Sequence, residues 1–142
     1  WGETAFPSGF MVGVNGSAIS TSTTTGKRYQ MDFDASNTFQ DDGVNFSAVI
    51  QLTRKSYGSG NRKFIPFYDL RCDISNSEAV LEVSDDDFST WRTVGNFDLL
   101  RGNPRLYGGG SFVGSRAERI THTANAPFRA VYLGVKLKMG LH

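Results

Sequence analysis

Apolar and polar residues alternate with a period of two through most of this chain, and the 3.6-residue period of an amphipathic helix does not appear. In "VNFSAVIQLTR", residues 44–54, Val44, Phe46, Ala48, Ile50 and Leu52 share one face. Asn45, Ser47, Gln51 and Thr53 share the other, broken only by Val49. In "RAVYLGVKLKM", residues 129–139, the row Val131, Leu133, Val135, Leu137 and Met139 opposes Tyr132, Gly134, Lys136 and Lys138. "RYQMDFD" groups Tyr29, Met31 and Phe33 in the same way, and "AVLEV" groups Ala79, Leu81 and Val83. Such rows predict half-buried strands of an antiparallel sheet, one face on a core and one in water. "KFIPFYDLRCDI", residues 63–74, is apolar on both faces at its start. Pro66 has no N–H to give to a ladder, which predicts an edge or a bulge at that point.

Between the rows lie "QDDG", "YGSGN", "ISNS", "LRGNPR" and "YGGG", all rich in residues that favour turns. The Ser/Thr-rich "NGSAISTSTTTG", residues 15–26, reads as a long surface loop or an edge excursion. No repeat of fixed period is present. About eight or nine short strands at this spacing predict an all-β chain, an antiparallel β-sandwich of jelly-roll-like form. The 142 residues fit a single sandwich domain, 1–142, with room for a sizeable core. That domain, starting at Trp1, is expected to be a module of a larger protein.

Composition narrows the function classes. Fifteen Lys and Arg against fourteen Asp and Glu leave a formal charge of +1, which gives no case for nucleic acid or an anionic membrane as partner. No apolar run nears the roughly 20 residues that cross a bilayer. The single cysteine, Cys72, excludes an internal disulfide and a cysteine-based zinc site. Its place in "FYDLRCDI" predicts a small buried hydrophobe. His122, in "ITHTANAPF", has no second histidine near it and is expected to be a hydrogen-bonded structural residue. "YGGGSF", residues 107–112, lacks the Lys-Ser/Thr of a phosphate-binding loop and reads as a flexible connection. The sequons at Asn15 and Asn45 are read as chance matches.

Two stretches carry candidate chemistry. In "RKSYGSGNRK", Arg54, Lys55, Tyr57, Arg62 and Lys63 gather around a hairpin tip as a candidate contact surface for nucleic acid or a partner's acidic face, with solvated loop charges as the favoured, plainer reading. In "SDDDFSTW", residues 84–91, three successive carboxylates invite a catalytic or calcium-binding reading. Asp85, Asp86 and Asp87 are candidate calcium ligands, as are Asp41 and Asp42, but neither stretch has the D-x-D-x-D-G spacing. A glycosidase needs two opposed carboxyls at a set separation, and adjacent aspartates on a turn do not supply that. Strands flank the stretch, so a hairpin clasp is expected. Asp86 accepts turn N–H groups and Trp91 folds back over the hairpin. No catalytic residue, cofactor or metal is assigned, and the chain is expected not to be an enzyme.

Ser84, Asp86, Thr90 and Trp91 fit the Asp-box pattern S-x-D-x-G-x-T-W, with Phe88 at the glycine position. Asp-boxes are familiar from sialidases, where the resemblance implies a structural hairpin. The order of parts around it extends further. "LEVSDDDFSTWRTVGNFDL" is followed by "GNPRLYGGGSFVGSRAERITHTANAPFRAVYLGVKLKMG" and preceded by "GKRYQMDFD". Over about residues 26–140 this resembles the C-terminal β-sandwich region of tailed-bacteriophage virion proteins of the packaged-DNA stabilisation and tail-neck type. In such proteins a β-propeller precedes the region, and 142 residues do not hold one. The resemblance implies a non-enzymatic structural part of a virion, tail or neck, that contacts other virion proteins and assembles as a homo-oligomer. The alternative is a carbohydrate- or receptor-binding sandwich, for example of a tail fibre, bound to a host surface glycan. Its mark would be three or more co-planar exposed aromatics, drawn from Tyr29, Tyr57, Phe67, Tyr68, Tyr107 and Tyr132, whereas a flat apolar exposed patch would mark subunit contact.

Overall fold

The structure, a computed structural model, describes residues 8–14, 17–22, 27–31, 40–41, 44–58 and 60–140. Phe33, Asp42, Asn15 and His142, each singled out in the sequence, lie outside the described residues. The chain divides into two compact units, Trp1–Val44 and Asn45–His142.

In the first unit, β1 (Ser8–Val14), β2 (Ser17–Ser22) and β3 (Arg28–Met31) form an antiparallel sheet in that order. The Ser/Thr-rich segment expected to be a loop or an edge thus supplies the central strand, paired from Ala18↔Met31 on one side and Val12↔Ile19 on the other. Isoleucine and threonine fit a pleated surface well, and the segment is paired by backbone ladders on both sides despite its serines. Two short segments, β4 (Gln40–Asp41) and β5 (Val44–Asn45), pair with each other.

The second unit holds β6 (Ala48–Gln51), β7 (Lys63–Cys72), β8 (Glu78–Ser84), β9 (Arg92–Asp98), β10 (Arg105–Phe112), β11 (Ala117–His122) and β12 (Ala130–Met139). A 3-10 turn, Leu99–Arg101, follows β9. The strands form two antiparallel sheets, β6-β11-β8-β9 and β10-β7-β12. Successive strands change sheet at every step except the β8–β9 hairpin. β11 is inserted between β6 and β8, and β12 joins β7 on its other side. That is the winding of a jelly roll, here in seven strands. The antiparallel sandwich expected from the sequence is the fold observed.

One core lies between the sheets. Ile65, Tyr68, Leu70 and Cys72 of β7 meet Ala79, Leu81 and Val83 of β8, Phe97 of β9, Phe112 of β10 and Ile120 of β11. The "AVLEV" row is therefore buried as its alternation predicts, and Cys72 is the small interior hydrophobe expected, its thiol pushed up by burial. His122 is buried too, bonded to Ser77 at 2.9 Å and stacked on Phe128 at 4.8 Å.

Other rows depart from plain alternation. On β12, Leu133, Val135 and Leu137 pack on the core, but Val131 is 59% exposed and Met139 50%. Register shifts between Ala130 and Tyr132 and between Lys136 and Lys138 interrupt the period at both ends of that strand. Val44 and Phe46 are exposed as well, because β6 begins only at Ala48. Pro66 occupies the central strand of its sheet, not an edge. The expected bulge is there: register shifts fall beside it on both neighbours, between Tyr107 and Gly110 and between Lys136 and Lys138. "YGGGSF" is a correction in kind. It is not a flexible connection but part of β10. Gly109 is held so closely that an added Cβ would lie 2.7 Å from Ile65 Cγ2 and Tyr68 Cε2.

Candidate functional site

The hairpin between β8 and β9 is built by Asp86. Its carboxylate accepts from Thr90 N (2.9 Å), Thr90 Oγ1 (2.5 Å) and Ser84 Oγ (2.9 Å). The Thr90 and Ser84 bonds favour the ionised form and hold this carboxyl down at about 2. Ser84 Oγ in turn accepts from Phe88 N at 3.0 Å. Asp87 and Phe88 both have positive φ, 61° and 68°, and Ser89 N donates to Asp86 O at 3.3 Å. The two successive positive-φ residues form a tight turn over Asp86–Ser89 inside the seven-residue connection 85–91 between β8 and β9. Trp91 is half-buried beside it, 6.0 Å from the Phe88 ring, with the Arg119 guanidinium 4.1 Å over its face. Arg119 also pairs with Glu82 at 2.8 Å. Ser84, Asp86, Thr90 and Trp91 thus form one hairpin clasp, and the indole face is covered by a protein cation.

The three adjacent aspartates serve three different partners. Asp85 takes both Nε and Nη2 of Arg116, at 2.6 and 2.7 Å. Asp86 caps the turn, and Asp87 pairs with Arg54. Among the described residues, no group of three His, Cys, Asp or Glu side chains converges on a common point.

The basic tip is also divided. Lys63 is fully buried, its ammonium donating to Asn61 O (3.0 Å) and Gly114 O (2.9 Å) above the Phe112 ring. Tyr57 is half-buried and donates to Glu118 at 2.8 Å, and burial with the Glu118 charge raises its phenol well above the ordinary range. Arg54 lies against Asp87 and Ser115. Lys55 is exposed on a bridge to Arg116, and Arg62 is exposed. The five therefore form no single contact surface: Lys63 and Tyr57 belong to an interior polar cluster. At its centre the fully buried Arg116 donates to Gly109 O at 2.7 Å and stacks on Phe112 at 4.2 Å. Glu118 Oε2 is buried without a hydrogen-bond partner among the described residues, and the buried Tyr68 hydroxyl faces the Arg116 guanidinium without a bond of good geometry. Burial raises the Glu118 carboxyl, and burial together with the Glu118 charge pushes Tyr68 up to about 12.

The outer face of β10-β7-β12 has a different character. Pairing sets Arg105 beside Asp69 and Gly134, Tyr107 beside Phe67 and Lys136, and Tyr132 beside Arg71. Tyr107 is 67% exposed and Tyr132 53% exposed. Tyr107 stands edge-on to Phe67 at 5.9 Å, and the Arg105 guanidinium covers that same ring at 4.1 Å while bonding Asp69 at 2.6 Å. A cleft of about 380 Å³ opens here, lined by Asp69, Leu70, Asn103, Arg105, Tyr107 and Tyr132. Gly134 helps to keep it open: a Cβ there would meet Tyr132 Cε2 at 3.3 Å and Asp69 Cβ at 3.5 Å. A smaller hollow of about 130 Å³ is lined by apolar residues of β6, β7, β11 and β12 and by Leu52 and Tyr132.

No family model, no curated protein and no solved structure matches this chain. Of the aromatics singled out in the sequence, Phe67, Tyr107 and Tyr132 share the outer face. Two of them, Tyr107 and Tyr132, are exposed, one fewer than the three expected of a sugar-binding face, because Phe67 is half-buried under Arg105. Tyr57 and Tyr68 turn inward, and the Tyr29 side chain lies outside what the structure describes. Asp69, Asn103 and Arg105 were not foreseen. Their one local signal is that Phe67, Asp69 and Arg71 alternate with Tyr68 and Leu70, but strand pairing is what joins them to Arg105 and Tyr132.

Proposed function

We propose that the sandwich is a non-enzymatic binding module that holds a saccharide on the outer face of β10-β7-β12. The observation that carries this reading is the cleft flanked by exposed Tyr107 and Tyr132, with Asp69, Asn103 and Arg105 as its polar lining. Sugars need this mixture. Their C–H faces lie against the negative faces of aromatic rings, and their hydroxyls need donors and acceptors together. Asp69 accepts, Arg105 donates, and the Asn103 amide does both. Catalysis is not part of the reading. Among the described residues Asp69 is the sole carboxylate lining the cleft, and it is bound to Arg105, whereas glycoside hydrolysis uses two carboxyl groups flanking the bond.

The proposed setting is a virion tail or neck, on the resemblance over residues 26–140. A sugar-binding face suits a tail-fibre part that meets a host surface, and a homo-oligomer would multiply weak contacts. Protein–protein contact within the virion is the second reading. It is favoured by β12, an outer strand that exposes Val131, Tyr132 and Met139.

Binding to an array of host glycans tests the first reading. Tyr107→Ala and Tyr132→Ala should each weaken binding by about 1–2 kcal/mol, roughly tenfold in Kd. Both side chains are exposed, so the melting temperature should hardly move. Binding that survives both substitutions would remove the cleft from consideration.

A further inference from the structure

We infer that the saccharide taken by this face is acidic, carrying carboxylate or sulfate groups; the inference rests on the saccharide reading above. The face is far from neutral. Arg71, Lys136 and Lys138 carry no ion pair among the described residues, and Arg105 alone has a carboxylate, Asp69. One face of one sheet therefore holds four cations against one anion, although the chain as a whole is within one charge of balance. The outer face of the other sheet differs, since its Arg119 is paired with Glu82.

Placement matters as much as sign. Lys136 pairs across β7 with Phe67, whose other neighbour is Tyr107, so aromatic edge and ammonium stand on one cross-strand row. Arg71 stands beside Tyr132 in the same way, at the other end of the cleft. Neighbouring strands are about 4.8 Å apart, so β10 and β12 are roughly 10 Å apart across this face, and Tyr107 and Tyr132 are opposite Phe67 and Arg71, roughly 13 Å apart along β7. The diagonal between the two tyrosines, roughly 16 Å, spans about three sugar rings, with a cation at either end of the aromatic pair. A short oligosaccharide laid along that diagonal, from Tyr107 to Tyr132, thus presents substituents to Lys136 near one end and to Arg71 near the other. Arginine and lysine donate to carboxylate and sulfate oxygens, and they contribute most where neighbouring counter-charges are missing. A nucleic acid strand fits less well, because its phosphates would pass the Asp69 carboxylate at the centre of the cleft, whereas a sugar hydroxyl donates to it.

The test is an array in which each uronate-containing, sialylated or sulfated glycan sits beside its neutral counterpart of the same backbone, with single-stranded oligothymidylate as a further probe. Acidic members should bind at least about tenfold more tightly than their neutral partners at ~0.1 M salt. The gap should close near ~1 M, where the screening length falls from about 10 Å to about 3 Å. Lys136→Gln, Lys138→Gln and Arg71→Gln should each weaken acidic glycans by about two- to five-fold and leave neutral ones unchanged. These side chains are exposed, and unaltered circular dichroism and melting would show that the variants fold. Neutral glycans bound as tightly as acidic ones, with no salt dependence, would overturn this inference and leave the saccharide reading standing. Retention of the oligothymidylate alone, or of nothing on the array, would overturn both.

Discussion

Phe88 is the residue whose replacement tests the hairpin most directly. It sits at φ 68°, directly after Asp87 at φ 61°, and the left-handed region costs an L-residue about 1–2 kcal/mol. Aspartate tolerates it through local hydrogen bonds, and phenylalanine has no such compensation. Phe88 stays there because the Asp86 bonds and Phe88 N→Ser84 Oγ fix the backbone on both sides. Its ring also touches Trp91 at 6.0 Å, a contact worth about 0.5–1.5 kcal/mol. Phe88→Ala loses the ring contact and keeps the strain. Phe88→Gly loses the same contact, relieves about 1–2 kcal/mol of strain, and gives back about 0.4–1 kcal/mol through the looser unfolded chain. The glycine variant should therefore be more stable than the alanine variant by about 0.5–1 kcal/mol. In ordinary strand backbone the order is the reverse, alanine ahead of glycine by roughly 0.5–1 kcal/mol. For a domain near 100 residues, 1 kcal/mol moves Tm by about 4–8 °C, so the two melts should differ by roughly 2–8 °C. Urea curves should show the same order with equal slopes. An alanine variant equal to or above the glycine variant would mean that the turn is not left-handed at Phe88, and the derivation of the hairpin would fall with it.

Three further outcomes follow from the interior and from the glycine-rich strand. Asp85→Ala leaves the buried Arg116 guanidinium without its carboxylate and should cost about 3–5 kcal/mol in urea denaturation. Adding Arg116→Met should recover most of that loss, and no recovery would show that the charge is not what matters. Gly109→Ala should destabilise by about 3 kcal/mol or more through contacts of 2.7 Å with Ile65 and Tyr68, whereas Gly108→Ala meets nothing within 4 Å and bears only the strain of φ 88°. Equal melts for the two would refute the close packing at Gly109. Burial depresses the His122 pKa below its ordinary 6.5, so the unfolded chain takes up this proton first. Its contribution is fully present above about pH 6.5 and lost as pH falls through the lower folded value. His122→Gln should flatten the stability profile over that range, and an unchanged profile would assign the slope to another group.

Local pattern made the sandwich legible because each strand of a two-layer fold has to bury every second residue. "AVLEV" shows this in its simplest form: Ala79, Leu81 and Val83 are all interior. The Asp86 turn was legible for a similar reason, since its bonds span at most four residues. Longer-range pairing was not. Asp85, Asp86 and Asp87 are neighbours in sequence, yet they serve a buried arginine 31 residues away, the turn itself, and Arg54. A basic tip read as a surface sent Lys63 inward because two backbone carbonyls and an aromatic face were available to hold its ammonium.

The outer face shows most clearly why alternation alone falls short. In an unbroken strand, residues three apart point to opposite sides. On β7 both Ile65 and Tyr68 are buried, while Phe64 is exposed and Phe67 stands on the outer side with Tyr107. The phase is reset at Pro66, where the pairing with β10 and with β12 shifts register. A one-residue slip moves every later side chain to the opposite face. Without the reset, a strand that buried Tyr68, Leu70 and Cys72 would also bury Phe64 and turn Ile65 to solvent. With it, one strand supplies Tyr68 and aliphatic side chains to the core and an aromatic pair, Phe64 and Phe67, to the outer side. Proline has no N–H to lose from the ladder, and the bulges absorb the unmatched residues on either side. The apolar start of β7 is therefore divided between folding and surface by one proline in a central strand. The proposed binding face depends on that division, because Phe67 is the ring that Arg105 covers and that Tyr107 meets edge-on.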